Sequence, residues 1–248
     1  MKSKILAFLG SALISGTAMA GGYQVNLAGQ RQIGMGHTGT GLVTGTSSIF
    51  FNPGAMSHLG YSGVTIGGSA LVSKIAHSAP ESGGVTARTD NPLGTPFQVY
   101  GVYNIKEKFS AGLGVYTPFG STVDWGNEWN GRYGLNQLKL QAIYIQPTVS
   151  YAITGKLGIG IGLSYVVGSV NLQRSVPVQN QDGTEGGLEL DGGAESACGF
   201  NAGIFFQPTE KHSIGVNSRS RVDLKVEGGD VMFSNIPAAA RGNFPDGT

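Results

Sequence analysis

Over positions 157–167 every odd residue is bulky and apolar (Leu157, Ile159, Ile161, Leu163, Tyr165, Val167), and the residues between begin Gly158, Gly160, Gly162, Ser164. A period of two is the signature of a β-strand, whose successive side chains point to opposite faces. This strand must therefore have one greasy face and one nearly bare one. From His212 the pattern returns, with Ile214, Val216, Val222, Leu224 and Val226 at even positions. Ser213, Gly215, Asn217, Arg219, Arg221, Asp223, Lys225 and Glu227 hold the odd ones. The charges are expected to share one face, turned to an enclosed lumen where they pair with one another. A soluble sandwich also alternates, with its apolar face turned inward, so the connections between strands must decide.

Strands are expected near 61–73, 95–104, 109–117, 135–152, 157–174, 197–207 and 212–227. The connections at 105–108, 153–156 and 208–211 are short, whereas 74–94, 118–134 and 175–196 are long. Short turns alternating with long loops mark an antiparallel outer-membrane β-barrel, with the turns in the periplasm, the loops outside and the apolar faces turned to lipid. Glycine fits this reading: 42 of 248 residues are Gly and only 12% are charged, without a collagen-like repeat.

The ends bound the compartment. Lys2 and Lys4, the apolar run 5–14 and Ala18-Met19-Ala20 form a secretory signal at 1–20, with a mature start expected at Gly21. That run is too short for a spanning helix, and no later stretch is long and apolar enough. A single cysteine, Cys198, cannot form an internal disulfide. A net charge of +1 gives no reason to expect nucleic acid.

The strand starting at Leu157 carries a further signal. Beyond Val167 its outward row turns polar (Ser169, Asn171, Gln173), while its inward row turns apolar (Val166, Val170, Leu172) and ends at Arg174. A strand rising above the bilayer, wet outside and lining a greasy pocket with one cation near its end, has this pattern. Such a pocket suits an amphipathic acid.

Residues 21–60, ahead of the first strand, are Gly- and Thr-rich, with neither strand nor helix periodicity. Asn52-Pro53-Gly54 follows Ile49-Phe50-Phe51 and reads as a structured turn, so a folded plug is expected here. The start at Gly21-Gly22-Tyr23-Gln24-Val25-Asn26, Asn52-Pro53-Gly54, Gly199-Phe200-Asn201-Ala202-Gly203-Ile204 and the stretch from Ser218 to Lys225, in this order, resemble the FadL family of outer-membrane transporters for long-chain fatty acids and aromatic hydrocarbons.

The resemblance implies a barrel of about fourteen strands plugged by an N-terminal hatch. Here that hatch is 21–60, carrying Asn52, Pro53 and Gly54 where the family motif reads Asn-Pro-Ala. It also implies capture of a hydrophobic ligand in an outer groove, passage through a pocket, and sideways exit beside a kinked third strand. That strand here runs into Thr117-Pro118-Phe119-Gly120. Proline lacks a ladder donor and glycine packs nothing, so pairing should fail at Pro118 and Gly120; the bland alternative is that Pro118 ends the strand. The family's carboxylate-binding basic residue falls on Arg174, the residue at which the inward row ends; the alternative is an exposed arginine at a loop edge. Phe119, Trp125, Trp129 and Tyr133 are the candidate outer groove, or else anchors at the headgroups.

The rivals lack their chemistry. His37, His58, His77 and His212 have no nucleophile motif beside them, GxSxG is absent, and neither CxxC nor HExxH occurs, so no catalytic or metal site and no cofactor is expected. A general porin would lack the plug and the apolar inner wall. The expected partners are a long-chain fatty acid or another hydrophobic ligand and outer-membrane lipid, with the protein acting as a monomer. About seven strands cannot close such a barrel, so 61–248 is expected to be its first half, with roughly seven more strands to follow.

Overall fold

Two-residue turns at 107–108, 155–156 and 210–211 set neighbouring strands in antiparallel register, and the sheet is built outward from them. The computed structural model describes residues 25–78 and 84–247; the signal segment and the start at Gly21 lie outside them. The strands are β1 (Gly63–Gly68), β2 (Ala76–Ser78), β3 (Val85–Arg88), β4 (Phe97–Lys106), β5 (Phe109–Asp124), β6 (Gln137–Thr154), β7 (Leu157–Gln179), β8 (Glu185–Thr209), β9 (His212–Arg219) and β10 (Asp230–Ser234). The main sheet runs β1-β4-β5-β6-β7-β8, and β9 and β10 pair the two ends of β8. A separate hairpin, β2–β3, stands in the connection 74–94, which the sequence reads only as a loop.

Directly opposed residues share a face, so the register sorts the two sides. Val149 with Ile161 and Ala202, and Ile145 with Tyr165, make outward rows that are largely apolar and exposed. From 157 to 167 this band runs about 33 Å along the strand, or roughly 25 Å of membrane normal at a tilt of ~40°. Exposed Tyr103, Tyr151 and Phe206 stand near the turn end, and Phe97, Tyr165 and Phe200 near the other, as aromatic girdles do at the two interfaces.

The opposite face carries small and polar residues, and the chain ahead of β1 packs there. Residues 25–60 hold three short helices that the sequence periodicity does not reveal: α1 (Gln30–Gly34), α2 (Ser48–Phe51) and α3 (Pro53–Met56). Asn52 caps α3, its Oδ1 accepting from Gly54 N at 2.9 Å, with Pro53 at the first helical position. Its Nδ2 donates to Thr40 O and Ile204 O, tying the turn to β8.

The helices approach the sheet backbone to backbone. A Cβ on Gly54 would meet Gly203 O at 2.7 Å and Gly158 O at 2.8 Å, so glycine is required where the family motif has alanine. On the sheet side, a Cβ on Gly160 would overlap the main chain of Pro53, and one on Gly203 would overlap Asn52. The free carbonyls at the end of α2 are satisfied by the sheet. Gln146 donates to Ile49 O (2.8 Å), Asn201 to Ile49 O and Phe50 O (both 3.2 Å), and Arg219 to Phe50 O (2.8 Å). The Arg219 guanidinium also lies 4.1 Å over the Phe50 ring. Around these bonds Ile49, Phe50, Met56, Tyr100, Tyr116 and Tyr144 form the buried core.

Several expected boundaries move. β1 is shorter than 61–73. β5 continues past 117, and 175–196 is mostly strand, because β7 and β8 extend as one long hairpin whose turn lies near Asp182 and Gly183. The segment 212–227 leaves strand geometry after Arg219 and its polarity flips. Val222 and Leu224 pack on the core, while Arg221, Asp223, Lys225 and Glu227 are exposed. The charges therefore do not share one face, and only Arg219 among them reaches the interior.

Gly160→Val should cost about 1–3 kcal/mol by overpacking the seat and expose 25–60 to protease. Gly155→Val, in a turn with nothing near its Cβ position, should do neither. Detergent unfolding curves with limited proteolysis check this, and equal losses in both variants would rule out the seat as the cause.

Candidate functional site

Beyond the apolar band the two faces exchange character, as the sequence of β7 leads one to expect. Outward, Asn171 Nδ2 donates to Glu189 Oε1 (2.7 Å) and Asp191 Oδ2 (3.0 Å), and Gln173 Nε2 to Glu189 Oε1 (3.1 Å). A ladder of amides and carboxylates belongs in water, so this part of the sheet stands clear of hydrocarbon. Inward, the register aligns Ser121, Leu140, Val170 and Gly192 in one row, and Val123, Leu138, Leu172 and Leu190 in the next. The apolar wall therefore extends across β6 and β8. Its β8 part has a sequence signal in the short alternation Leu188-Glu189-Leu190-Asp191, within the stretch 175–196 expected to be a loop.

Val166 is fully buried at the base of this column. Above it lies a cavity of about 260 Å³ lined by Phe119, Leu140, Ala142, Val170, Leu224 and Val226, among others. Among the described residues, no charged side chain lines it. Leu172 and Arg174 continue the same row above the cavity, with Arg174 opposite Leu188 on β8. At ~3.3 Å per residue, Arg174 stands about 13 Å along the strand from Val170. It is exposed and makes no ion pair among the described residues. The four residues expected to form one pocket thus form one column: Val166 at its base, Val170 in the cavity wall, Leu172 above and Arg174 at the mouth.

The aromatic residues expected in one outer groove separate. Phe119 points inward, 5.9 Å from Tyr144, and belongs to the cavity. It does so because Pro118 does not end β5. Tyr116 pairs Tyr144 and Phe119 pairs Ala142, so Thr117 and Pro118 together oppose Ile143 in a β-bulge that shifts which residues face in. Trp125 and Trp129 stack at 4.7 Å with His77 edge-on at 6.4 and 5.9 Å, joining the β2–β3 hairpin to the loop after β5. Tyr133 turns away from them to Glu185.

Pairing with β6 lapses at Thr117 and Pro118 but resumes at Phe119 and Gly120, the latter opposite Gln141, so the break in the wall lies on the β4 side of β5. β4 accompanies β5 only as far as Tyr116. Beyond that, Pro118 O accepts from Val25 N (2.8 Å), and the loop 92–96 stands where β4 would continue. A side cavity of about 340 Å³ occupies this break, lined by Val25, Leu93, Phe97, Phe119, Gly120 and Leu140, among others. Phe119, Gly120, Leu140 and Gln141 line both cavities, so a thin wall separates interior from side.

Arg132 donates to both oxygens of Glu185, at 2.7 and 2.9 Å, and Tyr133 OH donates to Glu185 Oε1 at 2.6 Å. This ties the loop after β5 to the start of β8, and Ser175 N reinforces it by donating to Arg132 O. Arg132 and Tyr133 hold the Glu185 carboxyl down at about 2.

The described features define an antiparallel membrane-spanning β-barrel sheet, with chain packed on its inner face and an apolar inner wall above it. The model of the outer membrane protein transport protein family (OMPP1/FadL/TodX) matches residues 11–243, and the chain belongs to that family, an outer-membrane family of transport proteins. The 47 kDa outer membrane protein of Pasteurella multocida is 25% identical over 92% of this chain and 56% of its own. Outer membrane protein P1 of Haemophilus influenzae is 22% identical over 86% and 56%. The chain thus spans a little over half the length of these relatives. Among solved structures, a FadL homologue from Pseudomonas aeruginosa superposes with a TM-score of 0.66 at 17% identity, covering 85% of this chain and 55% of that one. The Ralstonia pickettii toluene transporter TbuX superposes with 0.57 at 15%, covering 79% and 58%. Both bear on the fold.

The Arg132–Glu185 tie sets a pH dependence. A carboxyl depressed in the folded state stabilises it above its ordinary value of 4.5 and ceases to as pH falls toward about 2. Between those limits the loop should loosen, read as a change in fluorescence from the stacked Trp125 and Trp129, which are the only tryptophans. Glu185→Gln should show the loosened signal at neutral pH and no transition; a transition that persists in this variant would assign it to another group.

Proposed function

We propose that this protein admits hydrophobic molecules, long-chain fatty acids first among them, across the outer membrane by passive diffusion through a plugged barrel. The observation that carries the reading is the inversion of polarity above the apolar band. Strands that are wet outside and greasy inside make sense only if the interior holds an apolar guest. A porin has no use for Leu138, Leu140, Leu172 and Leu190 on its inner wall.

In this mechanism Arg174 receives the carboxylate at the mouth, where a guanidinium offers paired donors. The acyl chain lies down the column past Leu172 and Val170 into the uncharged cavity. Residues 25–60 act as the hatch, held by the glycine seat and by Gln146, Asn201 and Arg219, so that solutes do not leak through. The guest leaves through the wall beside Pro118 and Gly120, next to the Thr117–Pro118 bulge, where Val25 and the loop 92–96 stand in for a missing strand. The cavity's lack of charge also supports a second reading, uptake of neutral aromatic hydrocarbons. Its volume exceeds the roughly 150 Å³ in which a dry apolar cavity holds benzene.

Calorimetric binding to the detergent-purified full-length protein separates the two. Oleate should bind, and Arg174→Ala should weaken it about ten-fold or more, with methyl oleate and toluene little changed. Equal loss for acid and ester would remove Arg174 from recognition. Binding of toluene alone would move the function to hydrocarbon uptake.

A further inference from the structure

Resting on that reading, we propose a second carboxylate-binding point at the outer lip of the side cavity, formed by Lys139. Lys139 lies on β6, opposite Thr122 of β5 and Asn171 of β7, and lines the side cavity next to Leu140 and Gln141. It is exposed and makes no ion pair or side-chain hydrogen bond among the described residues. The rest of that cavity wall is apolar or uncharged: Leu71, Leu93, Phe97, Phe119 and Thr122 stand around it. Among the described residues, Lys139 is the only charged one lining it.

Its height gives the position a chemical meaning. The outward apolar band ends at Ile143, paired with Val167. Lys139 is about 13 Å further along the strand at ~3.3 Å per residue, which at barrel tilt lies at headgroup level. An amphipathic acid passing sideways into the outer leaflet must keep its carboxylate there while its tail enters hydrocarbon, since a bare carboxylate in the bilayer core is strongly disfavoured. A flexible lysine at that height, on the rim of the break, can hold the carboxylate while the tail swings past Phe119 and Gly120. Arg174, inside and at the mouth, cannot follow the head through the wall. The two cations thus bracket the route, one within and one at the lip.

Full-length protein in liposomes tests this with oleate and methyl oleate as probes, in wild type, Lys139→Gln, Lys139→Arg and Arg174→Ala. Lys139→Gln should slow oleate transfer into the liposome membrane about ten-fold and leave methyl oleate unchanged, and Lys139→Arg should restore the wild-type rate. In detergent, Lys139→Gln should leave the affinity lost in Arg174→Ala largely intact, because that site is separate. Oleate transfer unaffected by Lys139→Gln, with oleate still bound, would overturn the lip site and leave the uptake reading standing; a lysine that merely contacts lipid phosphate gives this result. Equal slowing of oleate and methyl oleate would also overturn it. Failure of the wild type to bind or transfer either probe would overturn both.

Discussion

Main-chain carbonyls buried inside a membrane barrel must find donors, and this requirement organises the molecule. The strands satisfy one another through the ladder, but a chain folded against their inner face brings free groups of its own. Ile49 O and Phe50 O, at the end of α2, are met by Gln146, Asn201 and Arg219 from three different strands. Those side chains reach the carbonyls only if the helices lie almost on the sheet backbone. Glycines at 54, 158, 160 and 203 permit that approach. At these four positions glycine is therefore a packing requirement, because a side chain there would lift the inner chain out of donor range.

The same logic run outward explains where the polarity inverts. Up to Val167 the outer face meets lipid, and the interior is filled by chain. Above that level, among the described residues, Leu224 and Val226 stand beside an open cavity along β6 to β8, and the inner face becomes the apolar one. An apolar face without a partner is costly in water, and under the proposed function that face is where the hydrophobic guest lies. The outward ladder of Asn171, Gln173, Glu189 and Asp191 keeps that half of each strand soluble while its other half stays greasy.

How far the sequence discloses this depends on the range of the signal. Alternation is local, so the strand faces, the short turns and the switch after Val167 are legible residue by residue. Register is not local. That Leu188 stands opposite Arg174, or that Phe119 turns inward, follows from pairings and from a bulge that no periodicity records. Pro118 looks like a terminator because it cannot donate, yet a strand tolerates it where one neighbour is absent and the other bulges. The segment 220–227 misleads for a related reason. Its alternation is regular, but the chain leaves the strand after Arg219, so the pattern continues with its faces exchanged. The Arg132–Glu185 tie joins residues far apart in the chain, and neither carries a local mark.

The bulge also accounts for the place where the wall is thinnest. A continuous antiparallel pair holds by its ladder, whereas β5 above Tyr116 has lost that ladder with β4 and is met by side-chain bonds between Thr117 and Phe97, by Val25 N on Pro118 O, by the loop 92–96 and, at its far end, by Asp90 and Asn91 on Asp124. Fewer strand-pairing bonds and a cavity on the spot are what the proposed sideways exit would use. The inner cavity shares residues with this break, and Phe119 and Gly120, between the two, are placed by the bulge itself. A single irregularity in one strand thus supplies both the inward-facing Phe119 that shapes the interior and the missing pairing that weakens the wall beside it. Straightening β5 to recover the ladder would close the side and turn Phe119 outward together, so the two features can only be kept or lost as one.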